Sequence, residues 1–320
     1  MLFRSLRAEG HTTGLIHVTE SLPPVPDLAE VVARVRAFDP GLVAFSVMSQ
    51  QYEWTKRAAA ALRVAFPGLP VIVGGVHCTM VPDAVAADGL AEGLWDYVCV
   101  GEGEAALAEL CRRLELGADT ADVPNLRVIR GGAIKANPLG PFPALDELPP
   151  EDHFLFDLER ITHVREGWLS LLASRGCPYR CTYCFNREIV ARYALEGGLE
   201  GIRPYLRRYP VDRIIAEARG LVARLPEVRT IIFDDDLFTL DKAHVAAFCR
   251  AYAAEGPGLP FVVNAHVQTF DAEMAAALAA AGCSIVKFGL ESGSPRVRRE
   301  ILDRHMSNAA IAASFAAAHA

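Results

Sequence analysis

The alternation of short apolar runs with amphipathic stretches constrains this chain most. Leu42 to Val47, Leu69 to Val73 and Tyr97 to Val100 are short and rich in strand-forming residues, whereas Trp54 to Phe66 and Glu104 to Leu114 repeat apolar residues at helical spacing. Parallel strands need a long crossover, usually a helix, so this rhythm predicts a parallel sheet covered by helices. Strand-like runs return at Trp168 to Ala173, Thr230 to Phe233, Pro260 to Asn264 and Ser284 to Leu290, with helix-like stretches such as Val211 to Leu225 and Asp271 to Ala281 between them. Between the two halves, Asn137 to Pro150 carries Pro138, Pro141, Pro143, Pro149 and Pro150, which lack the amide donors of a helix or a central strand.

The expected fold is therefore α/β. Residues 1–136 form a Rossmann or flavodoxin-like domain, 137–160 a proline-rich connector, and 161–320 about four βα units. Leu2 to Glu9 reads as a first helix and Gly14 to Val18 as the strand after it, so the first domain lacks a leading strand. Four βα units do not close a barrel, and an open parallel sheet leaves its last strand unprotected. The second half thus reads as an incomplete, C-terminally truncated barrel, with Asn308 to Ala320 as its last helix.

A chain of 320 residues, 52% of them hydrophobic, can bury two cores. Its net charge of -7 argues against a protein that neutralises nucleic-acid phosphates, and Arg207, Arg208 and Arg213 read as solvated helix faces. No apolar run reaches about 18 residues and no secretion signal opens the chain, so a cytoplasmic protein without a membrane or nucleic-acid partner is expected. In that setting the 8 cysteines are thiols or metal ligands rather than four disulfides.

Three of them stand together in Ser174-Arg175-Gly176-Cys177-Pro178-Tyr179-Arg180-Cys181-Thr182-Tyr183-Cys184-Phe185-Asn186, directly after a predicted strand. Three soft ligands on one loop can share a metal centre, and three rather than four leave one iron of an iron–sulfur cluster open. A zinc knuckle completed by His153 or His163 is the structural alternative. Cys78, Cys99, Cys111, Cys249 and Cys283 stand alone in apolar or helical contexts and read as small buried hydrophobes.

The C-x3-C-x2-C loop, with Tyr183 before its last cysteine, resembles the signature of radical S-adenosylmethionine (SAM) enzymes. The resemblance implies a four-iron, four-sulfur cluster on Cys177, Cys181 and Cys184, whose open iron is chelated by SAM. Electron transfer from the cluster then cleaves SAM to methionine and a 5'-deoxyadenosyl radical. Asp235 and Asp236, in Phe233 to Phe238, are similar to the family's acidic motif near the SAM amino group, an acidic helix cap being the alternative. Asn264 after the third strand, and Glu291 and Ser292 in Gly289 to Ser294 after the fourth, complete the SAM contacts that the resemblance implies. His266 reads as a core or rim histidine.

In the first half, Ser46-Val47-Met48-Ser49, Gly74-Gly75-Val76-His77-Cys78-Thr79 and Gly101-Glu102-Gly103-Glu104 follow three strands, where open α/β sheets bind cofactors and glycine lets a ligand approach the backbone. In this order, ahead of the cysteine loop, they resemble the cobalamin-binding domain of cobalamin-dependent radical SAM proteins. Ser46, Ser49, Gly74, Gly75, His77, Glu102, Gly103 and Glu104 become the implied cobalamin contacts. Glu9-Gly10-His11-Thr12-Thr13-Gly14 imitates the D-x-H-x-x-G of other corrinoid domains, but a helix precedes it and Gly10 reads as a helix stop, so no protein histidine on cobalt is expected. The family implies methylation of an unactivated carbon of a small-molecule or peptide substrate, with a flavodoxin or ferredoxin as reductant. Radical cyclisation or rearrangement, and a non-catalytic corrinoid or cluster-binding module, are the rival readings.

Overall fold

In the computed structural model, which describes residues 2–320, the apolar runs of the first half become strands because β2 and β3 must pair along both edges to bury their backbone amides. In chain order the elements are α1 (Leu2–Ala8), α2 (Leu28–Phe38), β1 (Val43–Ser46), α3 (Tyr52–Ala65), β2 (Val71–Gly74), α4 (Val76–Met80), α5 (Pro82–Glu92), β3 (Tyr97–Cys99) and α6 (Glu104–Glu115). Strands β1, β2 and β3 are parallel neighbours, so the loops after Ser46, Gly74 and Cys99 emerge at one edge of the sheet. Leu6, Leu107 and Leu110 pack on one face of this sheet, and Ala59, Val85, Ala86 and Trp95 belong to a second core.

Two antiparallel strands, β4 (Leu126–Arg130) and β5 (Ala133–Ala136), extend the sheet beyond β3. Their turn places Gly131 and Gly132 at φ of 60° and 78°, the conformation that a two-residue hairpin of matching twist requires. Gly14 to Val18 is not the expected strand: residues 11–19 are irregular. Ring contacts hold this stretch in place of ladder bonds, with Gly14 against the Phe38 ring and His17 edge-on to Phe156 at 5.2 Å.

The proline passage is irregular and folded down, with Leu139 and Leu145 buried. Leu139 clusters with Val100 and Tyr193, and its amide donates to the Glu196 carbonyl at 3.1 Å. Glu188–Glu200 therefore belongs with residues 2–156 in one unit, while Asp157–Arg187 and Gly201–Ala320 form the second.

The second unit carries α7 (Leu158–Val164), β6 (Trp168–Leu171), β7 (Ser174–Arg175), the start of α8 (Phe185–Glu196), β8 (Arg207–Arg208), α9 (Val211–Val222), β9 (Thr230–Phe233), α10 (Lys242–Glu255), β10 (Phe261–Ala265), α11 (Ala272–Ala280), β11 (Cys283–Phe288) and α12 (Asn308–His319). Its main sheet runs β11-β10-β9-β6 with every pair parallel, so the polar ends of four strands share one edge. Phe233, Phe248, Tyr252 and Phe261 interlock beneath it. Asp241, Asp271 and Ser307 cap α10, α11 and α12 through side-chain oxygens.

Arg207 and Arg208 are not on a helix face. They form β8, paired antiparallel with Ser174 and Arg175 at the start of the cysteine loop, because the loop's own amides need partners there. Arg208 pairs with Asp241 at 3.4 Å, and Arg213 on α9 lies over the Tyr209 ring at 4.7 Å. Among the described residues no helix is long and apolar enough to cross a membrane.

Candidate functional site

The cysteine loop begins where β6 ends and is held by the next strand's acids. Asp235 has 0% exposure: one carboxylate oxygen accepts the Ala173 amide at 2.6 Å and the other the Ser174 hydroxyl at 2.8 Å. Burial pushes its carboxyl up to about 7, against the pull of those donors. Asp236 is exposed and reaches forward, accepting the Gly176 amide at 3.2 Å and the Asn186 side-chain amide at 2.9 Å. Asn186 in turn accepts the Tyr205 hydroxyl and lies 3.5 Å from the Cys184 sulfur. Gly176 sits at φ 96°, where a Cβ would overlap the Tyr205 carbonyl oxygen.

The three thiols share this loop. Cys181 is buried and Cys177 and Cys184 half-buried. Burial, and after it the charges of Asp236, Cys184 and Cys181, push the Cys177 thiol up to about 11, while the Tyr179 amide draws it down. Tyr179, between the first two cysteines, stacks on His266 at 3.9 Å. His266 is buried, and burial, helped by the Arg304 charge, holds it down at about 4, so the ring that supports the loop is neutral.

The end of β11 closes on the same loop. The Thr182 amide and hydroxyl donate to the carbonyls of Leu302 and Ile301 at 3.1 and 2.8 Å. Arg304 donates to the Cys181 sulfur at 3.1 Å, to the Tyr183 hydroxyl at 3.0 Å and to the Gly289 carbonyl. A π-helical turn, Val297–Ile301, presents this segment, and buried Arg298 ties it to the Ser292 carbonyl at 2.7 Å.

Among the expected SAM contacts, Tyr183 is about half exposed and Glu291 is exposed at φ 62°. Ser292 caps the following turn by accepting the Ser294 amide at 3.1 Å. Asn264 donates to the Asp235 main-chain carbonyl at 2.9 Å. Asp235 and Asn264 thus face the loop's backbone support rather than standing free at the strand ends. Local spacing does not flag Arg304, because it lies ten residues beyond the fourth-strand motif that ends at Ser294.

In the first unit, three strand-end loops are stapled to one another. The Val47 amide donates to the Gly74 carbonyl at 2.9 Å and the His77 amide to the Val47 carbonyl at 3.1 Å. Gly75 lies at φ 94°, where a Cβ would come within 2.7 Å of the Val47 nitrogen. Ser49 meets His77 Nδ1 at 3.0 Å, and the Tyr52 ring packs on His77 at 4.3 Å. The Thr79 hydroxyl donates to the Gly75 carbonyl at 3.0 Å and accepts the Gly101 amide at 2.9 Å, a bridge between the second and third loops. Ser46 is exposed, Glu102 and Gly103 half-buried, and Glu104 buried at the start of α6. The Tyr193 hydroxyl accepts the Glu102 amide at 3.2 Å and the Asn125 amide at 3.3 Å. His11 is 3.7 Å from Glu115, and Gly10 ends α1 at φ 90°.

A family model for B12 binding domains matches residues 1–111, and one for the radical SAM superfamily matches residues 171–320. The chain is a B12-binding radical SAM protein. An uncharacterised methyltransferase of Pyrococcus horikoshii is similar to this B12-binding radical SAM chain at 25% identity, over 88% of the chain and 58% of the relative. An anaerobic magnesium-protoporphyrin IX monomethyl ester cyclase of Synechocystis is 25% identical over 91% of the chain and 56% of the relative. The chain therefore spans less than two thirds of the length of these curated relatives. Among solved structures, the radical SAM methyltransferase TsrM of Kitasatospora setae, with cobalamin and a [4Fe-4S] cluster bound, superposes with a TM-score of 0.75 at 20% identity. That match covers 99% of this chain and 61% of that one and establishes the shared fold.

The residues present suit the family's cofactors. All three loop thiols are free, Cys181 and Cys184 lie near enough to act on the Cys177 thiol, and a guanidinium already sits on one sulfur, as an anionic thiolate donor set requires. The first unit offers glycine backbone and the exposed hydroxyls of Ser46 and Ser49 at the carboxyl edge of its strands.

Proposed function

We propose that this chain is the cofactor-binding core of a cobalamin-dependent radical SAM methyltransferase that acts on an unactivated carbon of a small molecule. The carrying observation is the cysteine loop: three thiols on one turn, held from below by Asp235 and Asp236 and from the side by Arg304. When bound, the cluster and SAM supply one-electron cleavage of a sulfonium bond and the corrinoid supplies a methyl carrier.

The chain's own residues bind and orient. Cys177, Cys181 and Cys184 would hold the cluster, and three ligands suit a cluster that also binds SAM. Tyr183, Glu291 and the exposed face of Asp236 border the SAM position, while Asp235, Asn264 and Ser292 fix the backbone on which those groups stand. Ser46, Ser49, Gly74, Gly75, His77, Glu102, Gly103 and Glu104 would receive the corrinoid. A flavodoxin or ferredoxin delivers the electron. The match to the Synechocystis cyclase supports ring formation as the second reading; a labelled methyl group of SAM that is absent from the product selects it.

The first test is anaerobic iron–sulfur reconstitution, then electron paramagnetic resonance of the reduced protein with and without SAM, in wild type and Cys181→Ala. A cluster signal that SAM perturbs, and that the variant loses at least about tenfold, is expected. Bound zinc, or a cluster indifferent to SAM, overturns the radical reading.

A further inference from the structure

Arg304 is the one cation recorded on a cysteine sulfur among the described residues, and its placement is built rather than incidental. Its amide donates to the Arg298 carbonyl at 2.8 Å, and its own carbonyl accepts the Met306 amide at 3.0 Å. Two residues away, Leu302 accepts the Thr182 amide, so the main chain that carries Arg304 is tied to the main chain that carries Cys181. One terminal nitrogen of the guanidinium serves both the Cys181 sulfur and the Tyr183 hydroxyl, and the other serves the Gly289 carbonyl. A lysine, with a single ammonium, does not span this arrangement in the same way.

We propose that Arg304 is a positioning residue whose N–H bond to the Cys181 sulfur raises the reduction potential of the cluster. The inference rests on the cluster reading given above. Reduction adds negative charge to the iron–sulfur unit, and part of that charge resides on the ligand sulfurs. A fixed positive donor on one sulfur stabilises the reduced state more than the oxidised state, and Cys181 is buried, so solvent screens the interaction little. The effect is a property of the cluster before SAM arrives and is separate from any contact Arg304 makes with SAM.

The test uses the reconstituted full chain without SAM, poised in a redox titration and read by electron paramagnetic resonance. Wild type is compared with Arg304→Gln, Arg304→Met and Arg180→Gln; the last removes the same charge from an exposed position on the same loop. At a fixed potential the ratio of reduced to oxidised cluster is expected to fall about tenfold in both Arg304 variants, about 59 mV for one electron. It is expected to move less than about twofold in Arg180→Gln. Equal potentials in wild type and the Arg304 variants, or an equal drop in Arg180→Gln, overturn the proposal. Wild type grown on guanidino-15N arginine gives a reading independent of variant folding: nitrogen hyperfine coupling in the reduced cluster supports the bond, and its absence overturns it. A wild-type protein that binds no iron defeats the cluster reading itself, a distinct outcome.

Discussion

The two candidate cofactor edges solve one problem by different means. In the second unit a loop of reactive side chains is held by other side chains: Asp235, Asp236, Asn186 and Arg304 each spend polar atoms on it. In the first unit the loops hold one another largely through backbone, with Val47 exchanging main-chain bonds with Gly74 and His77, and Thr79 bridging Gly75 to Gly101. A cluster needs three sulfurs at fixed positions, so its loop tolerates little movement. A large planar ligand needs open backbone, and small residues supply it.

Glycine substitutions break this comparison most severely. Gly176→Ala forces a positive φ on alanine and drives Cβ into the Tyr205 carbonyl, backbone that cannot step aside, at a cost of about 4 kcal/mol. Gly75→Ala is also strained at φ 94°, with Cβ 2.7 Å from the Val47 nitrogen, and costs about 3 kcal/mol. The readouts separate the two edges. After reconstitution Gly176→Ala is expected to lose bound iron at least about tenfold and to keep cobalamin, with the reverse for Gly75→Ala. Loss of both ligands in either variant defeats the idea that each edge is locally held.

Asp235 sharpens the comparison through pH. Its carboxyl is raised from 3.8 to about 7 by burial, so the native state keeps its proton where the unfolded chain has released it. The stabilisation from that proton is fully present below about pH 4 and is lost as pH rises through about 7. In urea unfolding of the apoprotein, Asp235→Asn costs about 2 kcal/mol at pH 5, because its amide carries two N–H donors where the protonated acid carries one O–H that the Ser174 hydroxyl can accept, and the gap to wild type narrows toward pH 8. A gap that widens with pH is incompatible with a buried, proton-retaining Asp235.

The legibility of the two edges in the sequence differs for the same reason. Cys177, Cys181 and Cys184 stand within eight positions, and their chemistry is carried by residue type and local spacing alone. The four parallel strands beside them were equally plain, because each is a short apolar run with a polar end. What spacing did not show is long-range: Arg304 reaches Cys181 across 123 positions, and Arg207 and Arg208 pair with Ser174 and Arg175 although their charge suggested a helix face. The hairpin at Gly131-Gly132 carries a readable signal, two glycines between strand-length runs, next to the proline passage. Gly14 to Val18 differs in the other direction: its local strand preference is overridden by the ring contacts of Gly14 and His17.

Tyr193 shows how much of the first edge depends on one distant residue. It lies 91 positions from Glu102, yet its hydroxyl accepts the Glu102 and Asn125 amides, and its ring stacks on Phe142 at 3.9 Å. Gly101 is required beneath it, because a Cβ there would overlap the hydroxyl. Tyr193→Phe keeps the ring and removes only the acceptor, leaving two donors short of a partner, although Asn125 still donates to the Val100 carbonyl at 2.8 Å. The expected cost is therefore small, about 1 kcal/mol, read as a lower urea midpoint, with iron binding unchanged. Cobalamin affinity is expected to fall about threefold, because the Glu102 loop loses its anchor while Gly74 and Gly75 keep theirs. An unchanged cobalamin affinity with the same loss of stability would place Tyr193 in the core alone and leave the third loop outside the corrinoid edge.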